Sequence, residues 1–396
     1  MKILSIETSC DETAASVINA NKEGLEVLSN VVSSQVKLHA KWGGVVPNLA
    51  AREHLKNIIP VIKSALKKAG IKDPRKEIHL LAVTQGPGLI PALLIGTNAA
   101  KTLAYSWEKP LLGIHHIEGH IYANFISENK VRSISNFQFP ISKQITNSKP
   151  KEQKFENLKL NIEFPILCLV VSGGHTQLVL MRDHLKYEIV GQTLDDAAGE
   201  AFDKVARILR LGYPGGQAIA AEADKFKVQS SKFKVELPRP MMYSKDFNFS
   251  FSGLKTAVLY KVNKLTSEGS TFGAPKVEPS ENWKSAIAYE FQQAAIDVLI
   301  HKTIKAAEKY NVKTVMLAGG VSANQELRKQ LGEKIKNNLP ATDYELIPIT
   351  YSLDNAAMIG AAAHFRWQKM SVAEKKKTLQ NWKTLEADAN LKLCEK

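Results

Sequence analysis

A chain of 396 residues is long for a single hydrophobic core, and 44% apolar with 23% charged residues is the composition of an ordinary globular protein in two lobes. Lys and Arg outnumber Asp and Glu by 53 to 39, a formal charge of +14, which nominates a polyanionic partner. No apolar run reaches bilayer-spanning length, Met1-Lys2 passes straight into a strand-like run without a signal or transit peptide, and Cys10, Cys168 and Cys394 lack disulfide-framework or thiolate-zinc spacing. These features predict a cytoplasmic protein with no membrane contact.

Ile3 to Ile6 reads as a strand, Glu7 to Thr13 as a polar turn and Ala14 to Ile18 as a returning strand. The hairpin tip carries Asp11 and Glu12, which are either a solvated turn or groups facing a phosphate or metal. Asn48 to Ala69 reads as an amphipathic helix with Leu55, Ile58, Ile59, Ile62, Ala65 and Leu66 at helical spacing and a kink at Pro60. His79 to Thr84 is a strand, Gln85 to Gly88 a tight loop and Ile90 to Tyr105 a helix. Its Gly-Pro-Gly matches neither the dinucleotide nor the P-loop pattern.

Leu111 to Ile114 then delivers the chain into His115-His116-Ile117-Glu118-Gly119-His120. His116 and His120, four residues apart, share one helical face, a spacing that suits two metal ligands and equally an ordinary polar turn. A third ligand has to come from elsewhere.

Ser127 to Glu163 lacks periodicity and reads as a basic surface insertion between lobes. Beyond it the second half opens as the first did. Ile166 to Val171 is a strand, Ser172 to Thr176 a glycine turn and Gln177 to Met181 a returning strand, which predicts a duplicated fold. Asp195 and Asp196 read as caps of a helix to Leu211, with Glu200/Lys204 and Asp203/Arg207 as i,i+4 pairs; the alternative for Asp203 is a ribose-binding carboxylate.

Lys225 to Lys264 holds nine cations against Glu236 and Asp246, either a polyanion surface or a solvated lysine-rich face. Trp283 to Tyr310 is a long helix. Thr314 to Leu317 is a strand, Ala318 to Ala323 a glycine turn, and Asn324 opens a helix carrying Arg328 whose N-terminus suits a phosphate. Asp354 reads as the cap of an alanine-rich helix to about Trp367, and the lysine-rich tail as peripheral.

Several segments in order resemble the tRNA threonylcarbamoyladenosine-forming transferase family, once described as glycoprotease-like. They are Ile6 to Thr13 (IETSCDET), His39 to Leu55, Gly86 to Leu89, His115 to His120 and Val171 to Gln177 (VSGGHTQ). Asp195 to Lys204, Tyr213 to Gly216, Phe249 to Lys255, Ala318 to Asn324 (AGGVSAN) and Asp354 to Met358 (DNAAM) continue the pattern. The Ser127 to Glu163 insertion, the region around Asn263 to Asn282 and the C-terminal tail lie outside it.

The resemblance implies an α/β, actin-like ATPase (ASKHA) fold of two duplicated lobes with a ligand cleft between them. One lobe comprises residues 1–126 with about 350–370 and the other residues 164–349; 127–163 is the insertion and 371–396 the tail. The implied reaction passes the threonylcarbamoyl group of threonylcarbamoyl-AMP to the exocyclic amine of the adenosine beside the anticodon in tRNAs reading ANN codons.

On that pattern His116, His120 and Asp354 resemble the ligands of one divalent iron or zinc ion. Val170, Val171, Ser172, Gly173, Gly174, Asp203, Gly216 and Asn324 match the substrate-binding positions, and ATP or ADP is a second candidate occupant. Gln217 and Ala220 stand where the family often has Pro and an acidic residue. Asp11 or Glu12 is the candidate to handle the amine proton or to order the tRNA side of the site. The implied partners are tRNA, a small inactive paralogue and a P-loop ATPase. Two other readings are a metal-dependent peptidase, disfavoured because Glu118 does not directly follow the first histidine as in H-E-x-x-H, and an actin-fold ATP-binding protein with other chemistry.

Overall fold

The computed structural model describes residues 1–21, 24–126, 162–229, 235–267 and 282–394. All but the last two residues of the expected insertion lie outside these. Among the described residues ten strands form two sheets. The first contains β1 (Lys2–Glu7), β2 (Glu12–Asn21), β3 (Gly24–Ser34), β4 (Leu80–Gly86) and β5 (Leu111–His115), in the order β3-β2-β1-β4-β5. The second contains β6 (Ile166–Val171), β7 (Thr176–Asp183), β8 (Lys186–Gln192), β9 (Thr314–Ala318) and β10 (Asp343–Leu346), in the order β8-β7-β6-β9-β10.

The two orders are the same. In each sheet the first three strands are antiparallel and the last two join the first in parallel, with Ile6 beside Val83 in one and Leu169 beside Leu317 in the other. β6 and β9 are buried along their whole length, as the unbroken apolar runs ILCLVV and TVMLA require of parallel strands covered on both faces. The expected duplication is therefore present in the topology, and the architecture is the two-lobed α/β arrangement of actin-like ATPases.

Helices α1 (Pro47–Lys68) and α2 (Ile90–Trp107) cover the first sheet, and α3 (His116–Tyr122) follows β5. In the second lobe come α4 (Ala198–Leu209), α5 (Gly215–Gln229), α6 (Ser252–Ser267), α7 (Asn282–Tyr310) and α8 (Gln325–Asn338). After β10 the chain returns to the first lobe as α9 (Ala356–Lys369). A single core joins both sheets through α3 and α9, with Ile3 and Ile114 on one side, Val170 and Met316 on the other, and Ile117, Ile121, Met358 and Ile359 between. The helices that follow the last strand of each lobe thus form the seam of the molecule.

Several local expectations change. Helix α1 begins at Pro47 and runs through Pro60, and it exposes Leu55 and Ile59 rather than burying them. Ala197 occupies the N-cap of α4; Asp195 instead accepts from Ser250 and the Phe251 N–H, and Asp196 pairs with Lys204 and Lys255. Glu200 and Lys204 do pair, but Asp203 accepts from the Gly215 N–H while Arg207 crosses to the Gly43 carbonyl of the other lobe. The tail is not peripheral: Leu385 is buried and Trp382 packs on Tyr105, because apolar residues on α2 and β5 need cover. No described helix is long and apolar enough to cross a membrane.

Candidate metal and adenylate site

The site begins at the end of β5. His115 caps α3 by accepting the Ile117 N–H on its Nδ1, so the helix starts with His116 and brings His120 one turn later onto the same side. Asn355, not Asp354, caps α9 by accepting the Met358 N–H. Asp354 is left free of the helix and turns to the histidines, since the cap position needs only one short polar side chain. Its Oδ1 lies 3.1 Å from His120 Nε2 and 3.6 Å from His116 Nε2.

One ligand atom from each of the three residues fits within 4.8 Å of the others. His120 is fully buried, yet neither ring nitrogen has a hydrogen bond of good geometry. An imidazole stripped of water and left so is costly unless something else takes its lone pair. Two nitrogens and a carboxylate oxygen around one point are a donor set suited to zinc or iron.

Behind the trio stand residues that the sequence pattern does not single out. Glu7, fully buried at the end of β1, reaches His116 Nδ1 at 3.3 Å, and Ser9 Oγ lies 3.2 Å from the same nitrogen. Thr84 and the Ser9 N–H both donate to Glu7. A carboxylate on the far nitrogen of a ligating histidine fixes ring orientation and raises its basicity. The clue was available in the position of Glu7, the last residue of a strand that aims at the motif.

Charge in the site is arranged for a cation. Burial disfavours a charged His116, but the Asp354 and Glu7 carboxylates outweigh it and lift the imidazole to about 9. Burial would likewise raise Asp354, yet His116 and His120 beside it hold the carboxyl at about 2. The same field that favours a proton on His116 favours a bound metal ion in its place.

The hairpin tip of the first lobe lies close by. Asp11 is buried, with Oδ2 unpartnered, and its carbonyl accepts from the Gln35 N–H at 3.0 Å. Burial, with Asp11 and Asp354 nearby, pushes Glu12 well above the usual carboxylate range, and Ser34 donates to it at 2.9 Å. Burial and the same carboxylates push the Cys10 thiol up, which removes it as a nucleophile. His54 holds the strand from behind, between Thr13 Oγ1 at 2.8 Å and the Cys10 carbonyl at 3.0 Å.

The second lobe brings its turns to the same place. A methyl group added at Gly173, Gly174 or Gly216 would meet nothing within 4 Å, so these backbones line open space. Gly319, at φ 86°, packs where a Cβ would lie 2.5 Å from the Val171 carbonyl and lets its turn press onto β6. Asp203 is raised by burial and by the Asp11 charge, although the Gly215 N–H at 2.7 Å opposes this.

Asn324 uses both ends of its side chain internally, accepting from the Leu327 N–H and donating to Gln292. Arg328 is engaged within the protein, linking the Ser322 carbonyl to Ser352, near Asp354. His175, in sequence only one member of a glycine turn, is lowered to about 4 by burial and by His116 and His120, placing it beside the trio.

The family model for tRNA N6-adenosine threonylcarbamoyltransferase matches residues 26–142 and 152–361. A protein of that name from Syntrophomonas wolfei is 44% identical over 371 residues, 94% of this chain and 94% of its own. Another from Listeria monocytogenes is 46% identical over 360 residues, 91% of this chain and 90% of its own. The chain belongs to this family.

Among solved structures it is similar to T. kodakarensis HypF, with a TM-score of 0.53 at 13% identity over 96% of this chain and 49% of that one, a likeness of fold. Family membership agrees with the fate of Glu118. That residue, the only carboxylate in the double-histidine motif, is fully buried and bound at 2.6 and 2.8 Å by Arg366, so it cannot serve as the base a peptidase would need. Transferases of this family act on tRNA, and this chain is a transferase of tRNA modification.

Proposed function

We propose that the chain transfers the threonylcarbamoyl group of threonylcarbamoyl-AMP to N6 of the adenosine beside the anticodon in tRNAs reading ANN codons, using one iron or zinc ion held by His116, His120 and Asp354. The observation that carries this reading is the convergence of that trio with the tips of both lobes' first hairpins, Glu12 on one and His175 on the other. When bound, the ion supplies Lewis-acid polarisation and a fixed point for carbamoyl or phosphate oxygens. ATP or ADP could occupy the same cleft in place of the adenylate.

The chain's own residues do the rest. The backbone of Val170, Val171, Ser172, Gly173 and Gly174, with Gly216 and the turn before Asn324, receives the adenylate where no side chain intrudes. Asp203, anchored by Gly215, takes a ribose hydroxyl. The N6 amine attacks the carbamoyl carbon and AMP departs. Asp11, with an unpartnered buried oxygen, accepts the amine proton, and Glu12 orders the tRNA side.

Partners of this reading are a small inactive paralogue and a P-loop ATPase in the cytoplasm. Supporting the first are the exposed Leu55 and Ile59 on α1 and Leu94 on α2, two packed helices that show these apolar side chains to solvent among polar ones. The decisive experiment supplies undermodified tRNA, threonine, bicarbonate, ATP and an adenylate-forming enzyme. Threonylcarbamoyladenosine should form, stop on chelation and resume with added iron or zinc. No modified base even with both partner proteins present would overturn the proposal.

A further inference from the structure

The stretch of the chain beyond residue 361, outside the family match, threads into the base of the site. Asn381 donates to the Leu111 carbonyl at 2.8 Å, Lys101 to the Leu385 carbonyl at 3.0 Å, and the Asp388 N–H to the Gln85 carbonyl at 2.9 Å. The fit is closest at Gly86, where an added Cβ would lie 1.7 Å from the Asp388 carbonyl oxygen. Only glycine admits the tail there.

Two paths lead from this segment to one side chain. Leu391 accepts from His115 Nε2 at 3.0 Å while His115 Nδ1 holds the Ile117 N–H, so one imidazole joins the tail to the first turn of α3. Ala389 accepts from the Gly88 N–H at 3.3 Å, the neighbouring Leu89 N–H donates to the Ser9 carbonyl at 2.8 Å, and Ser9 Oγ touches His116 Nδ1. Both paths end at His116.

We infer that the docked C-terminal segment, residues 381–391, sets the metal affinity of the site, with His115 as the positioning residue that transmits its grip to His116. The inference rests on the assignment of His116, His120 and Asp354 as ligands. It gives the tail a chemical role, because a ligand already held at its coordinating angle loses less entropy on binding, and loss of such supporting contacts costs about 10–100-fold in affinity.

The test uses full-length apo-protein titrated with Zn2+ or Co2+ against a competing chelator, with the visible spectrum of bound Co2+ as a readout of geometry. Gly86→Ala, which displaces the tail, and Asp388→Pro, which removes one of its N–H donors, should each weaken binding at least about tenfold and alter the Co2+ spectrum. His115→Asn, which keeps an acceptor near Ile117 but cannot reach Leu391, should show the same direction. Where Gly86→Ala fails to fold, Asp388→Pro decides, since its only change lies in the tail. Wild-type affinity and spectrum in folded Asp388→Pro and His115→Asn would overturn the inference. A wild-type protein that binds no metal would instead overturn the ligand assignment on which it rests.

Discussion

Asp11 is the residue on which the proposed chemistry turns, since it combines burial with an oxygen that no hydrogen bond satisfies. A buried acceptor of this kind is satisfied by a donor that the protein itself does not supply, an ordered water or a ligand. Asp11→Asn should lower the transfer rate by about 10²–10⁴-fold with adenylate affinity unchanged, measured by single-turnover transfer and equilibrium binding; an unaltered rate would remove it from the mechanism. His364 on α9 makes a separate prediction. Burial and the N-terminal ammonium hold its imidazole at about 4, whereas an unfolded chain titrates near about 6.5. Its contribution to stability is therefore complete above the unfolded value and is lost as pH falls towards 4, because the unfolded state binds the extra proton. Urea titrations from pH 7 down to 4 should show His364→Gln losing about 1–3 kcal/mol less than wild type.

At the scale of elements, the two seam helices are tied by the fully buried Glu118 carboxylate and Arg366. This pair fixes the helix bearing His116 and His120 against the helix that follows Asp354. Arg366 keeps part of its side chain in water and can be resolvated, so Glu118→Ala, which removes both hydrogen bonds, should cost about 1–3 kcal/mol, read from denaturant unfolding. Elements with a strong pattern were legible in sequence: the apolar runs of β1, β6 and β9, both hairpin tips and the spacing of His116 and His120. What escaped was set by partners outside the segment itself, near or far in the chain. β3 alternates too weakly to stand out, and its pairing with β2 is what orders it. Asp354 and Asn355 both make plausible caps, and only the approach of α3 decides which is free. Glu7 reads as a turn residue until Thr84 and His116 close around it.

Across the whole molecule, the formal charge of +14 is partly paired where the sequence concentrates it. Lys225 pairs with Glu222, Lys227 with Glu326, Arg239 with Asp297 and Lys255 with Asp196, so much of the described part of that basic segment is neutralised locally. The segment between β3 and α1, a short helix over Val36–His39 that tightens into a further turn over Ala40–Trp42, offers a different surface. It runs from Gln35, bonded to Asp11, to Gly43, held by Arg207 of the other lobe, and so borders the cleft. Lys37, Lys41 and Trp42 on it are exposed, and neither lysine has an ion-pair partner among the described residues. Phosphates of a tRNA reaching Asp11 would pass these cations first. Reversing Lys37 and Lys41 to Glu should weaken tRNA binding and flatten the dependence of log affinity on log salt by about 1–2. Reversing Arg239 and Lys255 should instead lower the unfolding midpoint with the salt slope kept. The opposite result, a slope changed only by the second pair, would return tRNA contact to the segment from Lys225 to Lys264.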